Sequence, residues 1–366
     1  MHAVVAGGGS AGHIEPALAF ADALRRRDPA AGVTALGTER GLDTRLIPAR
    51  GYDLELIPPV PIPRRLGPDL LRVPGLLRRA VAAAAAVLRD RQADVLVGFG
   101  GFVSGPAYLA ARRLGVPIVV HEANPRPGWA NRLGAQLTPY VATTFPDTPI
   151  AHGRHLGLPI RRSIATLDRP ARRSEARAAF GLADVLPTLL VTGGSQGARR
   201  LNEAASGAAA HLRAAGVQVL HATGDGHTVT VEDPAGSPAY VVVPYIEAMD
   251  LAYAAADLVL CRAGANTVVE VTAVGLPAAY VPLPVGNGEQ ALIAGPVVAA
   301  GGGLMVQDAA CTPDWVRSAL VPLLGDPARL AAMGAAAASS GRRDADERLV
   351  DLALEAVRSS RRGKPS

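Results

Sequence analysis

The sequence predicts an α/β protein of two parallel-sheet domains, and three observations carry that reading. Short β-like runs alternate with helical stretches along the chain, the pattern of strand–helix–strand units on parallel sheets. At 366 residues the chain is too long for one ordinary core and suits two domains of roughly 150 residues each. Both halves also open alike, as strand, glycine loop and helix. VVAGGGSAGHIEPALA near the N-terminus is answered by LLVTGGSQGARRLNEAA from Leu189.

In the first half the strand candidates are Ala3–Ala6, Val33–Leu36, Val95–Val97, Ile118–His121 and Tyr140–Thr143, with helices such as Pro16–Arg27 and Val81–Arg91 between them. The second half repeats the scheme with Thr188–Thr192, Gln218–Ala222, Tyr240–Val243, Leu258–Cys261 and Ala278–Val281. Its helices include Ala198–Ala215, Asn266–Val274, Gln290–Ala299 and Pro313–Leu324. The proline- and arginine-rich stretch Gly157–Arg172 marks the joint, giving domains over residues 1–160 and 161–341. Two similar domains facing one another imply a cleft, a preferred place for a small-molecule site.

Composition narrows the function classes. Hydrophobic residues make up 49% and charged residues 19%, which excludes a disordered chain. The two cysteines, Cys261 and Cys311, lack metal-type spacing and read as buried thiols in a reducing compartment. The N-terminus runs at once into a strand, so no signal peptide is expected. The longest aliphatic run, Ala80–Leu88, is about half what a bilayer span needs. A net charge of +5 and a pI near 9.6 favour anionic partners such as nucleotides or phospholipid surfaces. No aromatic-interleaved basic motif supports a nucleic-acid partner.

Three glycine-bearing turns carry the chemistry. Gly7–Gly12 spells G-x-G-x-x-G between a strand and a helix, where glycines permit positive φ and the helix end offers N–H groups to an anion. A tight βα turn needs such glycines on structural grounds alone. As a dinucleotide fingerprint it lacks its acid: the nearest, Glu39, lies beyond a Gly37-Thr38 turn. A lone histidine is usually structural, but His13 follows the loop directly, before the helix, and is expected to face the cleft. The second turn, Thr192–Arg199, has no Walker lysine and so is no P-loop. Its Ser195 and Gln196 could bond phosphate or sugar. The third, Cys261–Glu270, places the amides of Ala265, Asn266 and Thr267 at a helix start, where a diphosphate would gain the dipole. Glu270 follows on a nearby face and could accept two ribose hydroxyls; an ordinary helix glutamate would look the same.

Three further features divide between function and structure. His121-Glu122-Ala123-Asn124 ends a strand at the edge where α/β proteins place site residues, and equally suits a hydrogen-bonded corner. Asp344-Ala345-Asp346 matches a metal-holding D-x-D but sits in the charged run RRDADERL, which reads as a solvated helix face; no metal is expected. Pro61–Arg79 sets Arg64, Arg65, Arg72, Arg78 and Arg79 among Leu66, Leu70, Leu71, Leu76 and Leu77. It fits either a patch on anionic lipid or a solvated helix with a leucine core face.

Six stretches taken together resemble one family. AGGGSAGHIEPALAFADAL, VGFGGFVSGPAYLAAR, VVHEANPRPGWANR, GGSQGARRLN, AYAAADLVLCRAGANTVVEV and GLPAAYVPLPVGNGEQ run in the order found in MurG proteins, especially actinobacterial ones, or a close paralogue. These are the undecaprenyl-diphospho-muramoyl-pentapeptide N-acetylglucosaminyltransferases. The resemblance implies the GT-B fold: two Rossmann-like domains with parallel sheets facing across a cleft, and a C-terminal helix, about residues 342–360, packed back on the first. It implies transfer of N-acetylglucosamine from UDP-N-acetylglucosamine to the C4 hydroxyl of the lipid-linked muramoyl sugar (lipid I to lipid II). The transfer would be inverting and metal-independent, without a cofactor. The enzyme would be cytoplasmic and peripheral on the anionic inner membrane face, its first domain serving acceptor and membrane. By position, the resemblance assigns donor contacts to Asn124, Arg161, Ser195, Gln196, Ile246, Ala265, Asn266, Thr267, Glu270, Glu289 and Gln290. Arg262 is a possible helper for the leaving diphosphate. Ser10, Ala11 and Gly12 match the acceptor-side loop, and His13 is the candidate base.

Four positions depart from the family pattern: Phe102 for a frequent tyrosine, Asn266 for an aliphatic residue, Glu289 for a frequent glutamine, and Ile293 for an expected asparagine. They keep open a paralogue acting on another lipid-phosphate acceptor in specialised metabolism. From other classes, the rivals are a nicotinamide oxidoreductase and a non-catalytic lipid- or nucleotide-binding protein. The sequence assigns no oligomeric state.

Overall fold

The computed structural model describes residues 1–39, 41–60, 73–194, 196–285 and 288–362. The chain divides into two compact units, Met1–Arg161 with Asp344–Ser366, and Arg162–Arg343.

The first unit runs β1 (His2–Gly7), α1 (Ala11–Arg27), β2 (Gly32–Gly37), α2 (Asp43–Ala49), β3 (Asp53–Leu56), α3 (Val73–Asp90), β4 (Val95–Gly100), α4 (Gly101–Leu114), β5 (Ile118–Glu122), α5 (Trp129–Ala135), β6 (Val141–Thr143) and β7 (Gly153–His155). Its seven strands are all parallel, in the order β3-β2-β1-β4-β5-β6-β7. Strand order turns outward from β1 and β4, so the loops after these two strands border one crevice at the sheet's C-terminal edge. The strands read as continuous apolar runs because both faces are covered. Ala3 and Val5 face one core with α1, while Val4 and Ala6 face the other with α3 and α4.

The second unit runs α6 (Arg162–Ala165), α7 (Arg169–Ala179), β8 (Thr188–Thr192), α8 (Arg199–Gly207), α9 (Ala209–Ala214), β9 (Gln218–Ala222), β10 (Tyr240–Val243), α10 (Met249–Ala255), β11 (Leu258–Cys261), α11 (Ala265–Ala273), β12 (Ala278–Tyr280), α12 (Glu289–Ala299) and β13 (Gly303–Met305). Its helical tail comprises α13 (Pro313–Trp315), a π-helical turn over Val316–Leu320, α14 (Val321–Leu324) and α15 (Pro327–Ser340). The six strands are parallel in the order β10-β9-β8-β11-β12-β13, with the loops after β8 and β11 at the corresponding crevice.

After Arg343 the chain returns to the first unit as α16 (Ala345–Arg362). Its apolar face, Leu349, Val350, Leu352, Ala353, Ala356 and Val357, completes the core over α1. Arg26 meets Asp346 at 2.6 Å and Glu347 at 2.8 Å, and Arg154 meets Glu355 at 2.8 Å. Asp346 is buried, which corrects the reading of a solvated face at that position, while Asp344 is exposed as expected.

Two predicted helices are interrupted. Ala198–Ala215 breaks at Ala208, whose backbone (φ −92°, ψ 1°) leaves the helical region. Within Pro313–Leu324 the π turn ends at Leu320, two residues before Pro322, which has no N–H to continue the α ladder. The short strands β3, β7 and β13 lack a distinctive apolar run, and sequence reading misses them.

Candidate active site

In the first unit, the turn after β1 is held from inside. Asp43, fully buried at the start of α2, accepts from the Gly9 N–H at 2.8 Å through Oδ1 and from the Thr38 N–H at 2.9 Å through Oδ2. A Cβ on Gly8 would lie 2.9 Å from both Asp43 Oδ2 and Val103 Cγ2, so glycine there is a packing requirement. Gly9 takes φ +89°, and Gly41 backs against it. Ser10, in extended backbone, then opens α1 at Ala11.

His13 lies on this helix rather than in the loop before it. The expected start had rested on Pro16, which sits inside α1 and there removes only the bond its N–H would have given the Gly12 carbonyl. The ring is partly buried, with Nδ1 3.2 Å from Ser10 Oγ. Gly100 and Gly101, both at positive φ, make room for it. A Cβ on Gly100 would stand 3.4 Å from His13 Nε2, and one on Gly101 3.6 Å from Nδ1. Burial pushes the imidazole below its ordinary value, while the Asp43 carboxylate pulls it upward.

The β5 corner is a hydrogen-bonded hub. The buried Glu122 carboxylate accepts from the Asn124 N–H at 2.9 Å, the Gly128 N–H at 3.0 Å and Asn131 Nδ2 at 2.9 Å. Burial raises its pKa and these donors oppose the rise. Tyr108 donates to Asn131 Oδ1 at 2.8 Å. Asn124 is thus placed by Glu122. His121 is a corner residue: its Nε2 stands 2.9 Å from the Gly157 carbonyl, and burial takes it down to about 4. Arg161 belongs to this unit, donating from Nε and Nη2 to both oxygens of Glu15 on α1 at 2.9 and 2.8 Å.

In the second unit, the turn after β8 meets the turn after β9 backbone to backbone. A Cβ on Gly197 (φ +70°) would fall 2.1 Å from the Thr223 carbonyl, and one on Gly224 (φ +89°) 2.2 Å from Gly197 Cα. Asn202 donates to that carbonyl at 3.0 Å, and its Oδ1 lies 3.0 Å from His221 Nε2. His221 Nδ1 is 3.0 Å from the Tyr240 hydroxyl. Gln196 is exposed on the turn, and Ser195 lies outside the described residues.

After β11, Gly264 precedes α11, whose first turn opens with Ala265, Asn266 and Thr267; a helix start is the end that favours an anion. Glu270 is partly buried and accepts from the Tyr253 hydroxyl at 2.8 Å. Arg262 is held by other partners: its Nη1 stands 2.6 Å from Asp308 Oδ1 and donates to the Val281 carbonyl at 3.2 Å. The Ile246 side chain is buried just ahead of α10. Glu289 is the first residue of α12, and Gln290 Oε1 accepts from the Leu283 N–H at 2.9 Å. Ile293 is buried on the inner face of α12, where an apolar side chain packs without cost.

Asp43, Asn202, His221, Tyr253 and Asp308 escape sequence reading. Each serves through a partner distant in the chain, and the one legible signal was an acid opening the helix after β2. Among the described residues no group of three His, Cys, Asp or Glu side chains is placed to hold a metal ion.

Comparison with known proteins supplies the family. The N-terminal domain of glycosyltransferase family 28 matches residues 3–143 and the C-terminal domain of that family residues 188–349. The UDP-N-acetylglucosamine--N-acetylmuramyl-(pentapeptide) pyrophosphoryl-undecaprenol N-acetylglucosamine transferase of Streptomyces avermitilis is 62% identical over 358 residues, 98% of this chain and 99% of that protein. The chain belongs to the MurG family. The Acidothermus cellulolyticus member is 59% identical, covering 99% of each chain. The crystal structure of Acinetobacter baumannii MurG aligns with a TM-score of 0.76 at 30% identity, over 97% of this chain and 99% of that one. Two Rossmann-like units, one bearing each family 28 domain, make the GT-B architecture expected of a MurG protein.

Proposed function

We propose that this chain transfers N-acetylglucosamine from UDP-N-acetylglucosamine to the C4 hydroxyl of undecaprenyl-diphosphate-linked muramoyl-pentapeptide, forming lipid II with inversion at C1. The observation that carries the reading is near full-length identity of 56–62% to eight relatives that all bear this activity in their names.

The donor belongs to the second unit in this reading. The α11 amides of Ala265, Asn266 and Thr267 receive the diphosphate, with Ser195 and Gln196 as further donor contacts. Glu270, oriented by Tyr253, accepts the ribose hydroxyls. Ile246 meets uracil through its backbone, and Glu289 with Gln290 meet the sugar. Arg161 and Asn124 are further donor contacts in this reading. As UDP leaves, charge grows on the diphosphate, and amides fixed at a helix end stabilise it without reorganising. Arg262 steadies the strand end through Asp308 and contributes its field from there.

The acceptor belongs to the first unit, with Ser10, Ala11 and Gly12 along its phosphates. His13 takes the C4 hydroxyl proton as the bond to C1 forms. For Nε2 to accept it, Nδ1 must carry hydrogen and donate to Ser10 Oγ. Burial keeps the ring neutral near pH 7.

Membrane docking completes the reading. No helix among the described residues is long and apolar enough to cross a membrane. Arg78 and Arg79 are exposed on α3 beside Leu76 and Leu77, and Phe102 and Trp129 are exposed at the starts of α4 and α5. These side chains suit an anionic interface. Arg64, Arg65, Leu66, Leu70, Leu71 and Arg72 lie outside the described residues.

A transfer assay with UDP-N-acetylglucosamine and a short-chain lipid I analogue, with UDP-glucose as competitor, tests the proposal. Product formation is expected. Donor binding without transfer favours the paralogue with another acceptor, and NADH binding without UDP-sugar binding overturns the reading. Sedimentation with anionic but not neutral vesicles is expected for the docking surface.

A further inference from the structure

Asp43 belongs to no motif, yet it is the fully buried carboxylate around which the acceptor-side turn is built. Its two oxygens divide their work between neighbouring strands. Oδ1 takes the Gly9 N–H of the turn after β1, and Oδ2 takes the Thr38 N–H of the turn after β2, with the Thr38 hydroxyl at 3.4 Å. The backbone is moulded to that carboxylate. Cβ atoms on Gly8 and Gly37 would fall 2.9 and 3.1 Å from Oδ2, and one on Gly41 would meet the Gly9 carbonyl at 2.6 Å. One residue beyond Gly9 comes Ser10, whose carbonyl accepts from the His13 and Ile14 N–H groups at 3.1 Å and whose hydroxyl faces His13 Nδ1. The position of the imidazole is thus inherited from Gly9, and that of Gly9 from Asp43.

We propose that Asp43 is a positioning residue for transfer: it sets the Gly8–Ser10 turn, and through Ser10 the placement and protonation of the His13 ring. The inference rests on the reading of His13 as the base. Two amides converge on the one carboxylate, that of Thr38 buried and that of Gly9 part-buried, and each meets its own acceptor oxygen. The groups around His13 make Asp43 the charge that acts on it. From the β4–α4 corner come Gly100 and Gly101, and α5 contributes the uncharged Asn131 beside Gly100. On α1 itself, Glu15 is paired with Arg161 and Arg50. Asp43 favours the imidazolium that forms as the proton is taken, against the burial that opposes it.

Asp43→Asn tests this, since the amide keeps the shape but turns a donor toward one of the two N–H groups. The expected result is a kcat lower by about 10- to 100-fold with the KM for UDP-N-acetylglucosamine changed less than twofold. The acidic limb of kcat moves to lower pH, because a charge that raised the His13 pKa is gone. In a His13→Ala background the same substitution costs no further kcat. Asp43→Glu restores the limb and part of the rate, and it replaces Asp43→Asn as the test should that variant not fold. Wild-type kcat and pH limb in Asp43→Asn, an equal loss in the His13→Ala background, or Asp43→Glu no better than Asp43→Asn each overturns the proposal. A fully active His13→Ala instead overturns the base reading itself.

Discussion

Nδ1 of His13 stands 3.2 Å from Oγ of Ser10, the residue that precedes α1. A serine hydroxyl both donates and accepts, and the reaction needs one of the two tautomers that this contact allows. With the hydrogen on Nδ1 and Ser10 as acceptor, Nε2 is left basic. His13→Ala should therefore lower kcat by about 10²- to 10⁴-fold, with UDP-N-acetylglucosamine affinity nearly unchanged. Ser10→Ala should lower kcat by about 10-fold, the equivalent of one neutral hydrogen bond. Steady-state kinetics with isothermal titration of the donor separates rate from binding, and loss of donor affinity in His13→Ala would contradict the assignment.

The pH profile of kcat should rise through a pKa below the ordinary histidine value and be flat at neutrality. Burial lowers the His13 pKa, so the base form persists to more acidic pH. A rate measured from pH 5 to 8 checks this, and an acidic limb above 6.5 would count against His13.

Folding stability should fall on acidification between about pH 6.5 and 4. His121 and His221 are held neutral at about 4, against 6.5 for the free side chain. The unfolded chain binds more protons throughout that window, so stability rises with pH. Every tenfold loss of proton affinity on folding corresponds to roughly 1.4 kcal/mol. Glu122, pushed upward by burial, acts in the opposite sense at the low end. His221→Gln should flatten the dependence of Tm on pH, and an unchanged slope would refute the contribution.

Gly224→Ala should abolish donor binding and destabilise the second unit by about 2 kcal/mol or more, from positive φ and the close approach to Gly197. Gly216→Ala is the control, with φ +76° but open space around it. It should cost about 1 kcal/mol and leave donor affinity intact. Equal effects of the two on UDP-N-acetylglucosamine binding would show that backbone approach is not what matters.

Tyr253→Phe removes the hydroxyl that fixes Glu270 Oε2. The KM for the donor should rise by about fivefold, as expected for roughly 1 kcal/mol, while kcat stays near wild type. A larger fall in kcat than in affinity would place Glu270 in the chemistry rather than on the ribose.

Pattern within the chain was enough for the two parallel sheets, because each central strand is an apolar run covered on both faces. It also located the glycine turns, because Gly7–Gly12 and Gly193–Gly197 are punctuated in the sequence, and it carried the family, whose six stretches keep their order. Which partners hold those turns emerged with the folded units alone. Asp43 reaches Gly9 from across strand β2, Asn202 meets Thr223 and His221 from the next strand, and Tyr253 finds Glu270 from a different helix. Folding likewise moved His13 onto α1, buried Asp346 against Arg26 and turned Arg262 toward Asp308. Local pattern records backbone period and burial, which are properties of neighbours in the chain. Hydrogen-bond partners and buried charges are fixed by which strands lie side by side, and that is settled only when the sheets close and desolvation makes each unpaired polar group costly.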